Sequence, residues 1–330
     1  MGEIFMGEGL SQSSQRPRKG RGAVSNAAGR FEPFQREAVD DGWGDGDDDD
    51  AWAPPPLATT VTTDHSRSII ATNESPDVPF ERSINPYRGC EHGCVYCFAR
   101  PSHSYLGLSP GLDFESRLFA KPDAAMLLEG ELRRPGTQAR VIAIGTNTDP
   151  YQPVERRLRI TRGLLEVLSA FRHPVSIVTK SALIARDLDI LAPMAERGLV
   201  SAMVSVTTLE RGLARRMEPR AATPGRRLET IRALSEAGVP VGVMAAPMIP
   251  GLNDHELERI LERAAEAGAA AAGYLLLRLP FEIKDLFREW LEAHVPAKAP
   301  RVLALVREVR GGRLNDPRFG ARMRGTGPYA

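Results

Sequence analysis

From residue 139 onward, short apolar runs alternate with stretches of helical spacing. Residues 139–145 (Ala139-Arg140-Val141-Ile142-Ala143-Ile144-Gly145) are nearly continuous in apolar side chains, as a strand covered on both faces requires. Residues 157–170 then place Leu158, Thr161, Leu164, Leu165 and Leu168 on one helical face. The alternation repeats with strands at 175–180, 200–206, 241–246 and 270–279 and helices at 185–197, 226–237 and 254–267. Gly198 and Gly238 supply the helix-ending glycines, and Asn253 or Asp254 the start of the last of these helices. A further short strand, 83–87, ends at a proline-containing turn before residue 90. Strands separated by helices imply right-handed βαβ units and a parallel sheet. Six such strands are too few for an eight-stranded barrel, so the expected fold is α/β, a partial (β/α)6 barrel over residues 66–280.

The flanks read differently. Residues 1–65 carry a basic stretch ending at Arg21, the acidic run Asp45-Gly46-Asp47-Asp48-Asp49-Asp50, and Pro54-Pro55-Pro56. Such composition buries too little apolar surface to offset chain entropy, so a disordered tail is expected. Short alternating segments at 59–63 and 68–72 read as marginal strands leading into the core. Residues 281–330 read as two helices, 281–294 with Leu286, Trp290 and Leu291 inward and 299–309 with Val302, Leu305, Val306 and Val309. A tail rich in arginine follows (Arg310, Arg313, Arg318, Arg322, Arg324). Arginines among glycines suit a solvated tail, and also phosphate backbones with salt-dependent binding.

Over 330 residues the hydrophobic content is 42%, ample for a core, and the net charge of +1 averages an acidic tail with a basic remainder. No apolar run reaches the roughly 18 residues that span a bilayer, and no secretory pattern opens the chain. Unpaired thiols favour a reducing compartment, so a cytoplasmic protein without membrane contact is expected.

All three cysteines fall in one stretch, Cys90-Glu91-His92-Gly93-Cys94-Val95-Tyr96-Cys97. Three clustered thiols cannot pair off as disulfides and point to metal ligation. Thiolates select zinc, copper(I) or iron–sulfur clusters. A closed zinc site wants four ligands, which His92 or His103 would complete; an ordinary cluster wants four cysteines. Three thiols therefore suit a cubane with one iron open, and Gly89 and Gly93 permit the turns that a wrapping loop needs.

This Cys-x-x-x-Cys-x-aromatic-Cys stretch resembles the signature of the radical S-adenosylmethionine (SAM) enzymes. The resemblance implies a [4Fe–4S] cluster on Cys90, Cys94 and Cys97, SAM on the open iron, Tyr96 beside the adenine, and reductive cleavage to a 5′-deoxyadenosyl radical. It also implies an electron donor such as flavodoxin or ferredoxin. Over roughly residues 85–280 the chain is similar to one branch, the spore photoproduct lyase-like proteins, in which a lysine of a Val-Thr-Lys turn and a serine on the next strand contact SAM. Lys180 and Ser205 match those positions. Residues 247–251 resemble the superfamily's fifth-strand motif bordering the adenine.

In parallel α/β folds, functional residues gather at the carboxyl ends of strands. Here those ends carry Thr146-Asn147-Thr148-Asp149-Pro150-Tyr151, Lys180, Ser205 and Glu218-Pro219-Arg220. Thr146 and Asn147 are candidates for cofactor contact, Asp149 for a proton or a substrate amine, and Tyr151 for a hydrogen relay. Asp149-Pro150 is equally a turn starter, and Arg220 equally a surface ion-pair partner. Two departures separate the chain from spore photoproduct lyase. No fourth cysteine follows the second strand, and Phe98 stands where that family has a tyrosine after the last cluster cysteine. Lysis of a thymine dimer through that relay is not expected. The function expected is a radical SAM enzyme that abstracts hydrogen from an unidentified substrate, DNA or RNA being one class. The other reading is a non-catalytic iron–sulfur or zinc protein on the same barrel.

Overall fold

The computed structural model describes residues 17–32 and 57–329. The polyaspartate run and the triple proline lie outside the described residues.

Among the described residues there are ten strands: β1 (Thr60–Thr63), β2 (Ile70–Thr72), β3 (Arg82–Ile84), β4 (Tyr87–Arg88), β5 (Arg117–Ala120), β6 (Ile142–Ile144), β7 (Val175–Thr179), β8 (Val200–Ser205), β9 (Val241–Met248) and β10 (Ala271–Leu276). The helices are α1 (Leu112–Ser116), α2 (Ala124–Leu132), α3 (Glu155–Leu158), α4 (Ile160–Ala170), α5 (Leu188–Ala195), α6 (Arg211–Met217), α7 (Pro224–Glu236), α8 (Leu257–Glu266), α9 (Ile283–His294), α10 (Ala299–Glu308) and α11 (Ala321–Arg324).

The main sheet runs β10-β9-β8-β7-β6-β3-β2. Its six strands from β3 to β10 pair in parallel, and β2 closes the outer edge antiparallel to β3. This is the expected partial (β/α)6 barrel. Each β–α–β crossover returns the chain to the same edge, so every carboxyl end opens on one mouth. A small sheet, β1-β5-β4, stands apart from it. Its β5, with α1 and α2, falls between residues 112 and 132, where the sequence pattern gave no element.

Burial explains the elements. On α4, Ile160, Thr161, Leu164, Leu165 and Leu168 are buried, the face that the spacing marks. Each such aliphatic side chain removed from water contributes about 1.5–3 kcal/mol. The edge strand β10 leaves Tyr274 51% exposed, so its apolar run signals one covered face, not two. The helix α8 begins at Leu257 without a side-chain cap. The expected cap, Asn253, instead lies wholly buried, accepting from Ile249 N (2.7 Å) and donating to Thr207 O (2.7 Å) and Pro247 O (3.1 Å).

Two expected boundaries run through packed structure. A second core joins Cys94, Val95 and Tyr96 to Leu279, Ile283, Phe287, Trp290, Leu291, Val302 and Val306. The helices α9 and α10 thus back the cysteine loop and share this second core with it. Within residues 1–65, Arg21, Ala23, Val24 and Ser25 are buried. The expectation of a tail without packing therefore does not extend to residues 17–32. The apolar surface that α1 and the cysteine loop offer supplies a partner that local composition does not reveal.

Candidate functional site

The cysteine loop leaves β4 at Gly89 and crosses the mouth of the barrel. Gly89 (φ +77°) and Gly93 (φ +67°) both take the left-handed conformation that side chains disfavour. The loop is held from several directions. Gln152 accepts from Glu91 N (2.9 Å) and donates to Gly89 O (3.2 Å), gripping the loop's first turn. Arg100, wholly buried, donates to Cys94 O (2.8 Å), Gly93 O (3.1 Å), Pro110 O (3.1 Å) and Gly111 O (2.9 Å). Its charge is balanced by a direct pair with the buried carboxylate of Glu115. Arg220 pairs with Glu91 at 3.0 Å, so it serves the ion-pair alternative and braces the loop.

Cys90 and Cys94 are buried and Cys97 half-buried, all as free thiols. Burial raises all three: Cys90 well above the usual thiol value, Cys94 up to about 12, and Cys97 to a lesser degree. Cys94 and Cys97 add to the rise at Cys90, and Cys97 to that at Cys94. Opposing this, the Asp149 amide faces Cys90, the Ala99 and Arg100 amides face Cys97, and the Arg100 and Lys180 charges favour its thiolate. Amides directed at sulfur and a nearby cation are the surroundings that stabilise thiolates on a cluster. Among the described residues, no three Cys, His, Asp or Glu side chains stand in ready-made metal-ligating geometry. The fit thus rests on donor chemistry, on one short loop and on the surrounding N–H groups.

Tyr96 and Lys180 lie together, with the Lys180 ammonium 5.8 Å from the Tyr96 ring centroid. The Tyr96 hydroxyl donates to Glu218 and lies 3.3 Å from Thr207 Oγ1. Glu218 also takes the Thr207 hydroxyl (2.6 Å) and pairs with the buried Arg227. Burial alone would raise the Glu218 carboxyl, yet the charges of Arg227 and Lys180 and these hydrogen bonds bring it down to about 2. Arg227 also donates to Ser205 O (3.1 Å), fixing the end of β8, where Ser205 is 3% exposed.

The turn after β6 behaves differently from expectation. Asp149 accepts from Thr179 Oγ1 (2.7 Å), Lys180 N (2.7 Å) and Tyr151 N (2.9 Å), and His92 Nδ1 lies 3.3 Å away. Burial would raise this carboxyl; the facing His92 imidazole and these donors bring it to about 2. With these partners, Asp149 ties the cysteine loop to β7. Tyr151 is wholly buried beside Asp187, with the Arg186 guanidinium 6.0 Å from its ring centroid. Thr146 exchanges hydrogen bonds with Asn85 (3.0 and 3.3 Å), and Asn85 also accepts from Asn147 N (2.8 Å), leaving the Asn147 side chain exposed at the mouth. Phe98 is 49% exposed with the Arg278 guanidinium 5.6 Å from its ring centroid.

The structure thus brings together Cys90, Cys94, Cys97, Tyr96, Lys180 and Ser205. It sets Tyr151 apart. Sequence reasoning singled out none of Gln152, Arg100, Glu115 and Arg227; of these bracing partners only Glu218, in the Glu218-Pro219-Arg220 run, gave a signal. Of the alternative zinc ligands, His92 Nδ1 faces Asp149 at 3.3 Å and His103 Nε2 lies 2.9 Å from Arg117 O. Two surface cavities, of 330 Å³ beside Val61, Ala120 and Gly163 and of 570 Å³ beside Thr72, Val78 and Arg82, contain none of the site's side chains.

An uncharacterized protein of Mycobacterium tuberculosis is 39% identical over 242 residues, 72% of this chain and 71% of the relative. An uncharacterized protein of Methanocaldococcus jannaschii is 26% identical over 173 residues, 52% of this chain and 62% of that one. Among solved structures, spore photoproduct lyase complexed with dinucleoside spore photoproduct shares the fold, with TM-score 0.51 and 18% identity over 72% of this chain and 66% of the lyase. A lyase variant with bound SAM and the same dinucleoside matches equally. The chain therefore spans slightly less than two thirds of the lyase. The Radical SAM superfamily profile matches residues 84–264, more than half of the chain, from the strand before the cysteine loop to the helix after β9. This protein belongs to the radical SAM superfamily, whose cofactors are a [4Fe–4S] cluster and S-adenosylmethionine.

Proposed function

We propose that this chain is a radical SAM enzyme that cleaves SAM reductively and takes hydrogen from a nucleic-acid substrate at the barrel mouth. The observation that carries the reading is one short loop bearing three thiols, two buried and one half-buried, with the Lys180 ammonium 5.8 Å from the ring of the loop's Tyr96. Cys90, Cys94 and Cys97 would hold the cluster, which when bound supplies the electron that breaks the S–C5′ bond. Lys180 offers a point charge to a SAM carboxylate or ribose, being a flexible ammonium on a long stem. Tyr96, immobilised through its hydroxyl, presents a flat face for the adenine. Ser205 presents a hydroxyl at the end of β8. Asn147, Phe98 and Arg278 line the approach with polar, aromatic and cationic groups, which supports a substrate carrying bases and phosphates. Asp149 acts by positioning the loop.

Anaerobic protein loaded with iron and sulfide, given SAM, dithionite or a reduced flavodoxin or ferredoxin, should produce 5′-deoxyadenosine. A Cys94→Ala variant should not. Persistence of that product in the variant refutes the assignment, and one zinc per chain in place of about four irons and four sulfides supports the non-catalytic reading.

A further inference from the structure

The amino-terminal segment lies on the cysteine loop at unusually close range. A Cβ added to Gly22 would sit 1.7 Å from Gly93 O and 3.3 Å from Val95 N, so backbone meets backbone there. Gly22 N (2.9 Å) and Ala23 N (2.8 Å) donate to the two oxygens of Glu115, the carboxylate that also pairs with Arg100. Arg100 in turn holds the carbonyls of Gly93 and Cys94. Arg21 fastens the segment's start to Glu115 O (2.7 Å), Leu57 O (2.5 Å) and Thr59 Oγ1 (3.2 Å). Farther along, Ser25 O accepts from Leu112 N (3.2 Å), Asn26 and Asp113 exchange two hydrogen bonds (2.9 and 3.1 Å), and Arg30 forks onto Glu282 (2.9 and 3.0 Å). The segment is therefore tied along its length, and Gly22, near its start, presses on the backbone between two cluster cysteines.

We propose that residues 21–30 form a strap that positions the cysteine loop for its cluster, with Arg21 and Gly22 as positioning residues. The inference rests on the cluster assignment above and extends it to a segment outside the part of the chain that the superfamily profile matches. Glu115 is the hub. Its two oxygens take both strap amides and the Arg100 guanidinium, so displacing the strap leaves a buried carboxylate short of donors and loosens Arg100 from the loop carbonyls. Outer partners of this kind change metal affinity by about 10- to 100-fold.

The test compares full-length wild type with Gly22→Val and Arg21→Ala, using Gly130→Ala on α2, where a Cβ meets nothing, as control. In the cluster-free proteins, hydrogen exchange of the amides of residues 89–98 should accelerate in both strap variants and not in the control. After anaerobic loading, iron release to a chelator should be faster by on the order of 10- to 100-fold in the strap variants. Melting temperature tells loop release from general unfolding, and Arg21→Ala, which adds no clash, decides the matter if Gly22→Val fails to fold. Unchanged exchange over 89–98, or iron release at the wild-type rate, overturns the strap. Wild type that binds no cluster refutes the cluster assignment, and exchange in the cluster-free chain still decides the strap.

Discussion

The Tyr96 hydroxyl donates to Glu218, and the same carboxylate pairs with Arg227, so the aromatic residue of the cysteine motif is held by a buried ion pair 122 positions downstream in sequence. Breaking such a pair by neutralising one partner leaves the other charge uncompensated in the interior. Glu218→Gln should therefore destabilise the protein by about 3–5 kcal/mol in urea unfolding. Glu218→Gln combined with Arg227→Met should recover part of that loss. A single variant as stable as wild type would show the pair to be unimportant.

Lys180 is half-exposed, and its backbone amide, not its ammonium, serves Asp149. Lys180→Met should leave unfolding within about 0.5 kcal/mol of wild type. Loss of one charge-assisted contact, about 1.5–3 kcal/mol, should weaken SAM binding on the order of 10- to 100-fold. Isothermal titration of cluster-loaded protein with SAM measures this, and unaltered affinity would remove Lys180 from the cofactor site.

Burial pushes His103 down to about 4, against its hydrogen bond to Arg117 O. The unfolded chain takes up that proton near pH 6.5, whereas the folded protein resists it until about pH 4. The stability tied to neutral His103 is thus fully present above pH 6.5, declines as the pH falls, and is gone below about 4. Urea midpoints measured between pH 7 and 4 should fall less steeply in His103→Gln than in wild type. Parallel pH dependences would contradict a neutral, buried imidazole.

The arginines of the carboxyl-terminal segment are not equivalent. Arg310 is buried, donating to Leu276 O (3.0 Å), Leu277 O (2.6 Å) and Ala321 O (2.7 Å); Arg318 pairs with Asp316 and Arg322 with Asp77. Arg307, Arg313 and Arg324 remain exposed. Six phosphate contacts to a single strand would give a slope of log K against log salt of about −4, and three about −2. Fluorescence anisotropy with a labelled single-stranded oligonucleotide should return the shallower value. A slope near −4 would mean that the internal pairs open on binding.

Where sequence was informative, it was so through local signals. The helices α4, α7, α8, α9 and α10 fall close to the positions that 3.6-residue spacing marks, and the strands β6 to β10 near the apolar runs. The region of α1, β5 and α2 gave no such signal: four- to nine-residue elements are too short for periodicity to separate them from loop. Asp149 and Tyr151 were read as reactive because they follow a strand. Strand order indeed puts them near the mouth, but the packing of β6 against β7 turns one into a brace and buries the other.

The amino acids alone determined the chemistry on offer: three thiols within eight residues, an aromatic side chain among them, and a βαβ rhythm that gathers strand ends at one opening. These follow from spacing, because neighbours in sequence are neighbours in space. What the loop is built against was decided only on folding. Arg100 finds Glu115, Tyr96 finds Glu218, and Gly22 meets Gly93 across 70 intervening positions, since buried charges and closely apposed backbones are satisfied by whatever donors the tertiary packing brings within reach.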